Sequence, residues 1–219
     1  AVGWSAVSSM DDAKGSGSAK MEKPEGRADS TTRISSYSRK TEDGDFVVGI
    51  SSEALDAIRQ EQVGQNWCWA ACIQMVLRAH GFDRTQTEIV QRTFGDSRDQ
   101  GARGLGEIAT NLERWPLRRH GQPFVLSCEV TRNSPGLGYM IEQLKQGRPL
   151  IIAYDHTGGG HAVVITAVKY RKNSNGQPSI SEIVVRDPSG HDSATRGRRV
   201  LLSEEYRNCR GTVYVIPIE

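Results

Sequence analysis

From Pro149 onward the chain is built of short β-branched runs: LIIAY (150–154), HAVVITAVKY (161–170), SEIVVRD (181–187), RVLL (199–202) and TVYVIPI (212–218). Turn residues separate them, and runs of this composition between such punctuation read as strands. NSNGQP (173–178) has the residues of a hairpin connection. The preceding hundred residues have a different periodicity. WCWAACIQMVLRAH (67–80) carries Ile73, Val76 and Leu77 at helical spacing and stops at Gly81. TQTEIVQRTFG starts with Thr85 and Glu88 in capping-box spacing, which satisfies free backbone N–H groups at a helix start. LGEIATNLERW (105–115) ends at Pro116, and Ser134-Pro135 introduces GLGYMIEQLKQ, closed by Gly147. Helices first and an antiparallel sheet afterwards give an α+β domain. The helical half carries a cysteine and the sheet half carries histidines.

Residues 1–45 read as a flexible polar leader, as in SGSAKMEKPEGRADSTTRISSYSRKTEDGD, where apolar residues are too sparse to offset the entropy of ordering. The folded domain is expected over 46–219, starting at FVVGI (46–50). A net charge of +2 over 219 residues points to neither a nucleic-acid nor a membrane partner. RRH (118–120) and RGRR (196–199) read as solvated basic faces, with contact to substrate as the alternative. No run approaches the roughly 18 to 20 apolar residues that span a bilayer, and no secretory signal pattern is visible.

The four cysteines, Cys68, Cys72, Cys128 and Cys209, have no paired metal-ligand spacing. With Cys68 free, at most one disulfide can form, so a reducing compartment is expected. No metal or organic cofactor is called for, and the chain is expected to act as a monomer.

The string Gln62-Val-Gly-Gln65-Asn66-Trp67-Cys68-Trp69-Ala70-Ala71 carries the chemistry. A cysteine in the first turn of a helix meets unsatisfied N–H groups and the positive end of the helix dipole, and both favour a thiolate. Beside an imidazolium such a thiol becomes an effective nucleophile at neutral pH. Acyl transfer also needs donors for the developing oxyanion. The Cys68 backbone N–H is one; the Gln62 side chain is the preferred second, with Gln65 as its rival. Cys72, deeper in the helix, reads as core. Trp67 and Trp69 stand beside the nucleophile as wall or as packing.

Imidazole can both take a proton from the thiol and return one to a leaving amine. Of His80, His120, His156, His161 and His191, His161 fits best: Gly158-Gly159-Gly160 leaves its approach open, and the strand it opens holds the ring. His156 is second, and His80 at the Gly81 stop reads as a helix C-terminal charge partner. The base needs an acceptor to fix its tautomer. Asp187, ending SEIVVRD before Pro188, is the choice, with Asp155 and Asp192 as alternatives.

Gln62…Cys68-Trp69-Ala70, Gly160-His161-Ala-Val-Val-Ile and Val-Val-Arg-Asp187-Pro188 resemble the papain-like cysteine peptidases over about residues 46–219. The likeness is to the compact bacterial branch: secreted effector proteases of plant-pathogenic bacteria, related to the bacteriocin-leader-processing peptidases. It implies Cys68–His161–Asp187 catalysis with Gln62 as oxyanion donor. It also implies a papain-like fold whose helical half packs on the sheet, and a protein or peptide substrate. Gln65 stands where plant and lysosomal papains have a disulfide-forming cysteine, and Asp187 where they have Asn. Trp69 replaces the glycine that usually follows the nucleophile in leader-processing enzymes. In effector proteases of this branch a polar leader can be removed by self-cleavage, and the enzyme works in a host cytosol; both are expectations here. The alternatives are another Cys-His acyl-transfer enzyme (amidase, deamidase or transglutaminase) or a non-catalytic binding module.

Overall fold

Successive residues of a strand face opposite sides of its sheet, and the apolar runs after Pro149 use both sides. Ile151, Ala162, Val164, Val213 and Val215 enter one buried cluster. Their neighbours Leu150, Ile152, Tyr154, Val163, Ile165 and Tyr214 enter another. The sheet is therefore the middle of three layers. The structure, a computed structural model, describes residues 34–113, 115–119, 121–156, 159–189 and 194–218.

Among the described residues nine strands form the sheet: β1 (Ser36–Lys40), β2 (Phe46–Ile50), β3 (Leu117–Arg119), β4 (Gln122–Arg132), β5 (Leu150–His156), β6 (Gly159–Lys172), β7 (Pro178–Arg186), β8 (Arg198–Val200) and β9 (Cys209–Ile218). The order is β1-β2-β6-β5-β9-β4-β3, with β7 also on β6 and β8 on β7. Every pairing is antiparallel. Six helices accompany it: α1 (Ser52–Ile58), α2 (Cys68–Ala79), α3 (Gln86–Phe94), α4 (Leu105–Glu113), α5 (Leu137–Lys145) and α6 (Ser203–Arg207). Helices α2, α3 and α4 fill the first cluster through Ile73, Val76, Leu77, Ile89, Ile108 and Leu112. Helix α5 places Met140 and Leu144 in the second. The α+β class stands.

The helix signals act as their chemistry requires. Thr85 Oγ1 accepts from the Glu88 N–H at 3.1 Å, and the Glu88 carboxylate accepts from the Thr85 N–H at 2.7 Å. Gly95 ends α3 in the left-handed region at φ 83°. In the hairpin 173–178, Asn173 Oδ1 accepts from the N–H groups of Asn175 and Gln177.

Two expectations need correction. Strand β1 lies inside the stretch read as leader, paired from Ser36↔Ile50 to Lys40↔Phe46. It is an edge strand with all but Tyr37 exposed, so its composition is that of a solvated segment; the backbone ladder and the buried Asp45, bonded to Arg171 at 2.6 Å, hold it. The remainder of the leader, residues 1–33, lies outside the described residues. Nor is the sheet purely C-terminal: β4, between two helical segments, pairs with β9 from Val125↔Ile218 to Arg132↔Gly211.

The turn entering β8 is built on Gly197, whose φ of 72° is left-handed. Its carbonyl accepts the Asp187 N–H at 2.8 Å, and an added Cβ would collide with the Asp187 carbonyl. Gly197→Ala therefore combines backbone strain with a backbone clash and should cost about 2–3 kcal/mol in urea denaturation. Gly44→Ala, at φ 84° with open space around it, should cost only about 1 kcal/mol. Equal losses would contradict this account of the turn.

Candidate active site

Helix α2 begins at Cys68, and Trp67 before it supplies no side-chain cap. The first N–H groups of the helix therefore stay available at the thiol instead of being bonded by a Ser or Asp. The flanking residues are spent on anchoring. Trp67 Nε1–H donates to the Arg98 carbonyl and Trp69 Nε1–H to the Gln100 carbonyl, each at 3.1 Å. The Asn66 N–H donates to Asp99 Oδ1 at 2.8 Å. Both indoles are buried in the first core cluster, and Trp69 also lines the cleft. Together they pin the 98–100 segment across the start of α2, and Gly101, Ala102 and Gly104 beyond it form one wall of a cleft of about 710 Å³.

The opposite wall is the end of the β5–β6 hairpin where His156 pairs with Gly159. There His161 stands directly across from Tyr154, whose ring meets the imidazole edge-on at 5.7 Å. His161 Nε2–H donates to Asp187 Oδ1 at 2.9 Å. Cys68 lines the same cleft and acts on the imidazole from its other side, where Nδ1 is the nitrogen left free by Asp187. Burial alone would lower the His161 pKa. The Asp187 carboxylate and then Cys68 outweigh it and push the group up to about 9, so the ring is charged at neutral pH.

Asp187 follows the last residue of β7. Burial would raise its pKa, but His161, Ser189 and Arg199 hold its carboxyl well below the usual carboxylate range. Oδ1 accepts from the Ser189 N–H at 2.9 Å and the Ser189 hydroxyl at 2.7 Å, and Oδ2 accepts from Arg199 Nε at 2.8 Å.

Gln62 lines the cleft beside Cys68, but its amide is occupied. Nε2 donates to the carbonyls of Gly64 at 3.0 Å and Gln65 at 2.7 Å, which shapes the loop leading to α2. Its Oε1 is buried and has no hydrogen-bond partner among the described residues. Gln65, the rival donor, is exposed and also lines the cleft.

The remaining candidates fall elsewhere. His156 lines the cleft with its ring edge-on to His161 at 5.9 Å. Asp155 pairs with Arg210 at the rim. His80 caps the far end of α2, about 18 Å along the axis from Cys68. His120, His191 and Asp192 lie outside the described residues. All four cysteines are unpaired; Cys72 is buried, and burial pushes the Cys128 thiol up to about 12.

The residues around Asp187 were missed in the sequence. Arg199 belongs to RGRR, read as a solvated face, yet it reaches into the cleft together with Tyr154 and Glu205. No sequence signal marks it out: Arg198 and Val200 are exposed and Arg199 between them is not only because of its place in β8.

Because the raised pKa of His161 depends on Asp187, Asp187→Asn should lower the His161 titration by at least about one unit, read by NMR of ¹⁵N-histidine-labelled protein. The folded-state value lies above the ordinary one, near 6.5, so this pairing stabilises the fold fully below about 6.5. Its contribution is lost as pH rises through about 9. The urea midpoint of the wild type should fall over that window, and that of Asp187→Asn should fall less.

The peptidase domain of ComA, a bi-functional ABC transporter of Streptococcus involved in quorum sensing, is similar at a TM-score of 0.45 and 13% identity, over 73% of this chain and 96% of that domain. Among curated proteins none matches in sequence. The Peptidase_C39-like family matches residues 54–212, well over half the chain and spanning Gln62, Cys68, His161 and Asp187. The chain belongs to that family and is a cysteine peptidase.

Proposed function

We propose that the protein is a papain-like endopeptidase in which Cys68 is the nucleophile, His161 the acid and base, and Asp187 the group that orients and charges His161. One observation carries this reading: a single imidazole bonded to a mostly buried carboxylate shares its cleft with a cysteine at an uncapped helix start.

In this mechanism the Cys68 thiolate attacks the scissile carbonyl carbon, and the carbonyl electron pair moves to oxygen. The Cys68 backbone N–H stabilises that oxyanion. Gln62 adds a second donor when the oxyanion replaces one of its two carbonyl partners. His161 gives its proton to the leaving amine as the C–N bond breaks, leaving a thioester on Cys68. The neutral ring then takes a proton from water as water attacks the thioester, and the carboxylic product leaves with the thiolate restored.

An epoxide directed at papain-like proteases should label Cys68 alone at neutral pH. Cys68→Ala should abolish labelling, and His161→Ala should slow both labelling and peptide hydrolysis by about 10³-fold or more. Gln62→Ala should lower kcat by roughly 10–10². An inert Cys68, or attachment of an added amine in place of hydrolysis, would sink the endopeptidase reading.

We extend the proposal to the setting implied by the sequence resemblance: a bacterial effector delivered into a reducing, cytosol-like compartment and shortened by its own activity. Four unpaired cysteines are compatible with that compartment. Because β1 belongs to the sheet, a cut that spares the fold falls before Ser36. Wild type incubated in reducing buffer should yield a product starting in that region, and Cys68→Ala should not. Persistence of the full chain in the wild type would exclude self-processing.

A further inference from the structure

Oδ2 of Asp187, the oxygen facing away from His161, is bonded to a second ion pair. Arg199 Nε donates to it at 2.8 Å, and the two other guanidinium nitrogens fork onto Glu205, Nη1 to Oε2 at 2.7 Å and Nη2 to Oε1 at 2.9 Å. Nη2 also donates to the Tyr154 hydroxyl at 2.8 Å, and that hydroxyl donates to Glu205 Oε1 at 2.8 Å. The ring of Tyr154 meets the His161 imidazole edge-on, so the network returns to the residue from which it started. Its members come from four places: the end of β7, strand β8, helix α6 and strand β5.

An arginine on Asp187 has two opposed effects. Its Nε–H holds Oδ2 by one directed hydrogen bond, and the fork onto Glu205 fixes the guanidinium that makes it, which keeps Oδ1 aimed at His161. Its charge, however, weakens the attraction of Asp187 for the imidazolium. Glu205 removes the second effect without the first, since it balances the guanidinium while leaving the Nε–Oδ2 bond in place. We propose that Arg199 and Glu205, joined through Tyr154, are a positioning pair that locks the Asp187 carboxylate toward His161 while leaving its negative charge uncancelled. This rests on the reading of Cys68, His161 and Asp187 as the catalytic set. The other groups around His161 are Cys68 from α2, His156 from β5, and the Arg210–Asp155 pair at the rim.

The test uses the full chain with two readouts: the ¹⁵N-histidine titration of His161, and the rate of Cys68 alkylation by iodoacetamide across pH, located by mass spectrometry. Glu205→Gln leaves Arg199 unbalanced and should lower the His161 titration by about half to one unit. Arg199→Gln leaves Glu205 unbalanced, should raise it by a similar amount, and should slow alkylation at its optimum about tenfold by freeing the carboxylate. Arg199→Lys should restore the titration but not the rate, because it keeps the charge and loses the fork. The double variant Arg199→Gln/Glu205→Gln removes both charges and should return the titration to within a few tenths of a unit of wild type.

A purely structural role would lower the thermal midpoint in all variants without shifts of opposite sign. Shifts in one direction only, or none, overturn the pairing. If Cys68 is inert in the wild type, or His161→Ala alkylates normally, the catalytic reading fails and the pairing fails with it. Reactive wild type with an unmoved His161 titration in the variants overturns the pairing alone.

Discussion

The carboxylate of Asp187 is the charge on which the site is assembled. A mostly buried carboxylate is costly unless its lone pairs are filled. Here they are filled by the His161 ring, the Ser189 N–H and hydroxyl, and the Arg199 guanidinium. Each donor comes from a different part of the chain, so the group is satisfied only when β6, β7 and β8 are all in register. A slip of one residue in β6 would turn His161 to the other face of the sheet and strand the carboxylate. Arg186, one residue earlier, reinforces the arrangement: it is buried, donates to the carbonyls of Thr195 and Arg196 and pairs with Asp56. The turn that carries Arg199 to Asp187 is thereby held from below.

Helix α2 meets this charge with an opposite design. Its start lacks a side-chain cap, which ordinarily costs about 1 kcal/mol of helix stability. The loss is offset further along, where Ala70, Ala71, Cys72, Ile73 and Leu77 have no exposed surface. The indoles of Trp67 and Trp69 then fix the end that the missing cap would have steadied, by bonding the neighbouring segment instead of the helix itself. The outcome is a rigid helix terminus whose own N–H groups remain for a thiolate or an oxyanion, which is where catalysis needs donors already in place.

How much of this the sequence disclosed follows from the range over which each feature is decided. Cys68, His161 and Asp187 each sit at the end of an element, and such ends carry local signals: a helix-start pattern, a glycine run, an Asp-Pro. The capping box of α3 is likewise complete within four residues. Strand β1 is not local, since SYSRK becomes a strand only because β2 lies beside it. Arg199 is the plainest case. Within RGRR nothing separates it from Arg198, and only the pairing of β8 with β7 turns one inward and the other out. The amide of Gln62 shows a different limit: spacing brought it to the cleft, but its hydrogens go to Gly64 and Gln65, a matter of loop geometry that spacing does not encode.

Cys68 and His161 face one cleft from different layers. The thiol belongs to the helical layer whose side chains fill one core, and Tyr154 beside the imidazole belongs to the core on the opposite face of the sheet. Neither core alone sets the distance between the two groups; both must be packed for sulfur and nitrogen to face each other. Interiors at crystal-like density transmit small displacements with little loss, and catalytic geometry tolerates little misplacement. The pinned 98–100 segment and the Arg199–Glu205 fork brace the two walls separately, one through hydrogen bonds to indoles and the other through alternating charge. A cleft between two independently braced walls can admit an extended peptide without forcing the nucleophile and its base apart.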